Sequence, residues 1–176
     1  MKIDVRSNIK EVSKTMSKLD RQVIPKATVT ALNRSKDRMY TKVVRELAKA
    51  TGIKQKELRQ LMLKFKATYA SREAGFTVRG KAPNLIRFNA RQTKKGVSAT
   101  AWGKRRVYAG SFIGNDGRTV FTRKSAKRLP IKSLYGPAPP RELLREKIDQ
   151  AAKLFGIEQF KTELRRAITK HLARYK

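Results

Sequence analysis

At 176 residues the chain is long enough to bury one hydrophobic core, and an apolar fraction of 39% is globular in character. Lys and Arg total 44 against 13 acids, a formal charge of +31, which is far more than solubility requires, so an anionic partner or surface is expected. The lack of cysteine excludes disulfides and thiolate metal sites. No apolar run approaches the roughly 18 residues of a membrane span, and the N-terminal MKIDVRSNIKEV has no apolar signal-peptide core. The expectation is an intracellular product assembled in the cytosol, with no membrane partner.

Asn8-Ile9-Lys10-Glu11 has the spacing of a capping box and opens a first helix. Ile9, Val12, Met16, Leu19 and Val23 follow at steps of three and four, the pattern of a narrow seam facing one partner. Near Pro25 the chain either kinks or starts a new helix, so a bent helix or a helix pair is expected from about residue 8 to residue 50. Ile24, Ala27, Ala31, Met39, Val43, Leu47 and Ala50 place one apolar side on a long helix whose other side is basic. Gly52 suits its left-handed stop. A shorter helix follows, with Leu58, Leu61, Met62 and Phe65 as its apolar set, which makes residues 8–65 a helical segment.

Residues 66–123 read as a basic, β-rich segment. Short β-prone runs occur at Ala67–Tyr69, Gly75–Val78, Leu85–Phe88, Val97–Trp102, Val107–Ile113 and Thr119–Thr122, with Gly, Pro and Asn between them. Asn115-Asp116-Gly117 is a hairpin turn signal. From Gly75 to Pro140 there are fifteen basic residues and one acid, Asp116. The tracts Arg91–Gly96 and Gly103–Arg106 are the most basic and least patterned, and read as exposed loops or strand ends. Arg91, Lys94, Lys95, Lys104, Arg105 and Arg106 are therefore the candidate contacts for an anionic partner or DNA. Like charges at this density repel in a free monomer unless acidic surfaces or phosphates neutralise them.

Residues 124–140 are a Pro/Gly-rich connection, and Pro140 fits the first turn of the helices of 141–176. Leu144, Ile148, Ala151 and Phe155 form one face, Gly156 interrupts it, and Phe160, Leu164, Ile168 and Leu172 form a second. The order is helix, strand, helix in one α+β domain: a long N-terminal helix or helix pair, a small antiparallel sheet and C-terminal helices.

Catalytic chemistry finds little support. His171 stands alone near the end of the last helix, and the acids sit among Lys and Arg as surface ion pairs of small energy. No glycine fingerprint or phosphate loop is present, and no cofactor is expected. Trp102 and Tyr108 have the chemistry to stack on bases, although core packing explains them as well. Ala48, Gly52, Ile53, Leu58 and Leu61 have the spacing of a helix-turn-helix with Lys54, Gln55, Lys56 and Arg59 on its reading face. A plain capped helix and turn accounts for the same residues.

A longer series of motifs runs through the chain: IPKATVTALNRSKDRMYTKVVRELAKATGIKQKELRQ with Ala31-Leu32-Asn33-Arg34 at its centre, then KATYASREAGFTVRG, LIRFNARQTKKGV, AGSFI, GRTVFTR and LPIKSLYGPAPP. In this series the chain resembles the minor tail protein Z family of lambda-like siphophages and prophages, also called tail completion proteins. The resemblance covers most of the chain. It implies a virion protein of the tail or neck rather than an enzyme, needed to finish the tail so that it can join a DNA-filled head. It carries no catalytic residues. Partners implied are neck and tail proteins (tail terminator, tail tube or head connector) and further copies in a closed homo-oligomeric ring, with non-specific contact to DNA at the connector. Ile9, Val12, Met16, Leu19 and Val23, with the terminal helix, are the candidate subunit contacts. The rival reading is a nucleic-acid-binding protein, a helix-turn-helix regulator or a ribosomal-like RNA binder. A regulator prefers its own site over random DNA by about 4 kcal/mol or more, whereas a neck protein shows no such preference.

Overall fold

The computed structural model describes residues 17, 21, 23–125 and 127–173. Its order of elements is α+β, as the sequence leads one to expect. The chain forms two compact units, one from residues 1–39, 64–75 and 153–176, the other from residues 40–63 and 76–152.

Helix α1 (Ile24–Thr51) has 28 residues, a length of about 42 Å. Its buried positions include Ala27, Ala31, Ser35, Val43, Leu47 and Thr51. These fall on steps of four or multiples of four, so the gap between Ala31 and Met39 in the apolar pattern is filled by a serine. The Ser35 hydroxyl donates to Leu32 O at 3.0 Å and so enters the core satisfied. A four-residue step gains about 40° per turn on a 3.6-residue helix, so the buried line winds around α1. Arg21 and Val23 have π-helical geometry immediately before α1. The helix is thus entered from a widened turn, in keeping with the amide hydrogen that Pro25 lacks. At the other end Gly52 adopts φ +79° and its N–H bonds Ala48 O at 2.9 Å.

Helix α2 (Gln55–Leu61) stops before Met62. The expected continuation to Phe65 is corrected: Met62–Phe65 is strand β1, paired with β2 (Gly75–Val78). Interstrand hydrogen bonds here override helix propensities of a few tenths of a kcal/mol per residue. Ala67–Tyr69 is a loop rather than a strand. Both backbone groups of Ala67 are taken by one side chain, since its N–H donates to Asn33 Oδ1 at 2.9 Å and its carbonyl accepts from Asn33 Nδ2 at 3.1 Å. No ladder bond is left for it to make.

The remaining strands form two three-stranded antiparallel sheets, β3 (Arg91–Thr93), β4 (Gly96–Ala99) and β5 (Arg106–Ala109) in one, β6 (Ser111–Gly114), β7 (Thr119–Arg123) and β8 (Ile131–Ser133) in the other. Asn115, Asp116 and Gly117 all take positive φ in the β6–β7 turn, as the Asn-Asp-Gly run leads one to expect. The run Val107–Ile113 is split between β5 and β6 at Gly110, and β8 lies inside the stretch read as a connection. Leu85–Phe88 is a correction too: Leu85–Arg87 is a 3₁₀ turn. Asn84 holds it there, with Oδ1 accepting from Ile86 N at 3.1 Å and Val120 N at 2.9 Å. Leu85 and Phe88 are buried in the second unit together with Leu47, Leu58, Val97, Ala99 and Val120.

After a short helix α3 (Pro139–Leu143), α4 runs unbroken from Glu146 to Leu172. Gly156 does not interrupt it. A Cβ at Gly156 would stand 2.8 Å from Met39 Sδ, so the glycine makes room for a neighbouring side chain. In the first unit α4 places Glu163, 2% exposed in its side chain, against Arg38 Nη2 at 2.8 Å, Arg166 Nη1 at 3.1 Å and Arg34 Nη1 at 3.5 Å. Glu163 is thus a buried ion-pair centre, which corrects the expectation that the acids are all surface partners.

Two substitutions test this packing. A Cβ at Gly52 would overlap Thr100 O, so Gly52→Ala should lower the unfolding free energy by about 2 kcal/mol or more in a denaturant titration. Glu163→Ala should cost about 2–3 kcal/mol, whereas Glu158→Ala at an exposed site of the same helix stays within about 0.5 kcal/mol. Equal effects of the two glutamate changes would contradict a buried role for Glu163.

Candidate anionic-partner interface

The β3–β4–β5 sheet places the six candidate cations. Arg91 begins β3, Lys94 and Lys95 form the β3–β4 turn, and Lys104 and Arg105 precede Arg106 at the start of β5, all six exposed. The register sets Thr93 opposite Gly96 and Gly96 opposite Ala109 at one end, and Ala99 opposite Arg106 at the other. Three residues of β4 separate these ends, about 10 Å. Lys94 and Lys95 are therefore brought to one end of this small sheet, and Arg91, Lys104, Arg105 and Arg106 to the other. Arg91–Thr93, within a tract expected as exposed loop or strand end, is an edge strand with an exposed cation, a common protection of an unpaired edge.

Arg105 is fixed to this sheet. Its Nε donates to Ser98 Oγ at 2.9 Å and its Nη2 to Asn89 O at 3.3 Å. By register Ser98 lies between Arg91 and Val107, so Arg91 and the bonded end of Arg105 share one face. Arg123 was not among the candidates. It lies over the Phe112 ring at 5.1 Å, which gives the guanidinium a defined position. Only the pairing of β6 with β7 brings Phe112 and Phe121 together beneath it.

Among the candidate subunit contacts, Ile9, Val12, Met16 and Leu19 lie outside the described residues. Val23 is 1% exposed and belongs to the core of its unit. The helix-turn-helix candidate resolves into the end of α1, Gly52 and α2. Lys54, Gln55, Lys56 and Arg59 are exposed, and Leu58 is buried. Helix α2 has only seven residues, about two turns, and the chain then leaves as strand β1. That is short for a helix that must lie along a major groove. His171 is half-buried in α4. Among the described residues no group of three or more His, Asp or Glu is placed to hold a metal ion, and no described helix is long and apolar enough to cross a membrane.

The two aromatics in the basic segment differ. The Tyr108 hydroxyl is buried without a hydrogen-bond partner. Burial raises its pKa above the ordinary 10.0, and nearby Arg106 opposes this more weakly. Trp102 is 39% exposed, held at φ +55°, and its indole N–H donates to Glu142 Oε1 at 3.3 Å.

A basic α+β body that presents ordered cations from a small sheet has the surface of a protein that binds an extended anionic partner. The family comparison gives the class of protein: the profile of prophage minor tail protein Z (GPZ) matches residues 8–176. The chain belongs to this family of prophage minor tail proteins. Comparison with curated proteins and with solved structures gave no match.

The environment of Tyr108 has a measurable consequence. Its raised pKa means that the folded state holds the phenolic proton more tightly than the unfolded state. Stability from this source is complete below pH 10 and declines as pH rises above it. Tyr108→Phe should flatten the fall of unfolding free energy above pH 10. An unchanged alkaline slope would show that Tyr108 is not the group responsible.

Proposed function

We propose that this minor tail protein is a tail completion protein, which finishes the tail and supports its joining to the head. The family match over residues 8–176 carries the reading. The arrangement of the basic sheet supports it, because exposed Lys and Arg at both ends of β4 suit an anionic surface larger than a single small ligand. The partners are neck and tail proteins (tail terminator, tail tube or head connector), neighbouring copies in a homo-oligomeric ring, and DNA held through its phosphates without regard to sequence. Its role is mechanical and electrostatic, without catalysis. Phosphate contacts of this kind are sensitive to salt and indifferent to sequence, which suits DNA that must later move.

Light scattering across a salt series, with and without random-sequence DNA, tests the assignment. The expected result is a discrete oligomer whose DNA binding weakens steeply with salt. A salt-insensitive monomer without affinity for neck or tail proteins overturns it. Replacing Lys94, Lys95, Lys104 and Arg106 by Gln should reduce the slope of log K against log salt by about 3.6 for duplex DNA if each contacts one phosphate. An unchanged slope would remove these residues from the DNA contact.

A further inference from the structure

The second unit contains a cleft of about 400 Å³ lined by Ala82, Trp102, Pro137, Arg141, Glu142 and Arg145, among others. Its wall is built with care for position. The turn Ala101–Gly103 holds Trp102 at φ +55° and ψ 35°, a left-handed conformation that costs a bulky residue of order 1–2 kcal/mol. The turn cannot relax easily. A Cβ at Gly52 would overlap Thr100 O on one side, and Gly103 lies close against Lys49 O on the other. Glu142, 3% exposed, fixes the indole through Oε1 and faces Arg145 Nε across 2.9 Å through Oε2. An indole that only had to fill the core would not need to be held strained and partly in solvent.

We propose that this cleft binds one unstacked nucleotide of a single-stranded nucleic acid. The exposed indole face of Trp102 offers the stacking surface, a contact every base can make. The buried carboxylate of Glu142 does not meet the base; it holds the indole and Arg145 in position from beneath. Arg141, exposed at the cleft, and the outer N–H groups of Arg145 are donors for the flanking phosphate. Lys104, Arg105 and Arg106 follow Trp102 after Gly103 and continue the positive path for the backbone. Two arginines against one carboxylate leave the cleft net positive. Duplex DNA has its bases already paired and stacked, so it has no free face to offer. The inference deepens the proposed DNA contact and rests on that reading for the presence of nucleic acid. It assigns a strand state and a reader that the basic sheet does not.

Trp102 is the single tryptophan of the chain, so intrinsic fluorescence reports on this cleft alone. The experiment titrates the full chain with a short single-stranded oligodeoxynucleotide, the duplex of the same length, and polyglutamate. Saturable quenching by the single strand, with little from the duplex, is expected. Trp102→Gly, which also relieves the positive φ, should weaken a dye-labelled single strand about tenfold. Arg141→Gln, an exposed change that leaves the indole in place, should weaken it several-fold. Duplex binding in both variants stays close to that of the parent chain. Equal quenching by duplex and single strand, or unchanged single-strand affinity in Arg141→Gln, overturns the proposal. So does stronger quenching by polyglutamate, which would make the cleft a site for acidic protein. If a Lys94→Gln/Lys95→Gln variant, altered only in the β3–β4 turn, has a reduced salt slope while the single strand still quenches Trp102, the cleft is upheld. If the slope is reduced in that variant but Trp102 is silent towards the single strand, the cleft fails and the basic sheet does not.

Discussion

Charge is the constraint to which the rest of the structure answers. Forty-four basic side chains share the chain with thirteen acids, so carboxylates are scarce and their placement matters. Among the described residues the fold puts two of them, Glu142 and Glu163, inside. Glu163 gathers Arg34, Arg38 and Arg166, and Glu142 holds Arg145 and the indole of Trp102. Burying a carboxylate is costly alone; three guanidinium groups offset the cost at Glu163, and the Arg145 ion pair with the indole N–H does so at Glu142. Glu163 ties α1 to α4 within the first unit, while Glu142 organises one cleft of the second. Lys36 is buried beside Asp37, while the six candidate cations around the β3–β4–β5 sheet stand on the surface.

Short strands impose a second demand. Elements of three to five residues make few ladder bonds, and their connections need independent anchors. Two asparagines supply them. Asn33 takes both backbone groups of Ala67, and Asn84 reaches Val120 through both ends of its amide. Each links segments more than thirty residues apart and leaves few buried backbone groups unpaired. Asn33 lies in the Ala31–Arg34 motif, where Ala31 is buried, Asn33 pins the loop and Arg34 pairs with Glu163. The structure thus gives three of those four residues a physical task within one unit.

The proposed functional surfaces follow from the same economy of acids. With Glu163 and Glu142 committed inside, nothing acidic but Asp116 lies between Gly75 and Pro140. The positive field of the sheet is therefore nearly uncompensated along the chain. The Trp102 cleft adds a directed feature to that field. It combines an aromatic face, a carboxylate and guanidinium donors in one place, where the sheet ends offer charge alone.

Periodicity and turn chemistry made much of the fold legible. The long helix, its glycine stop, the Asn-Asp-Gly hairpin and the basic middle all depend on contacts within a few residues, and local sequence records those. The helix-strand-helix order follows from them. What escaped depends on partners distant in the chain. Met62–Phe65 reads as helix until β2 pairs with it, and Leu85–Phe88 reads as strand until Asn84 and Val120 claim its backbone. Gly156 reads as a break until Met39 occupies the space of its missing Cβ. At the candidate site, composition alone marked the six cations. Pairing across β4 decided that they stand at two ends of one sheet, and the approach of Gly52 to Thr100 decided how Trp102 is held. The sequence by itself determined the class of the protein and the sign of its partner, because charge and periodicity are additive along a chain. Only the tertiary structure decided which acids are buried and which aromatic is presented, because desolvation and steric exclusion act between residues that the sequence keeps far apart.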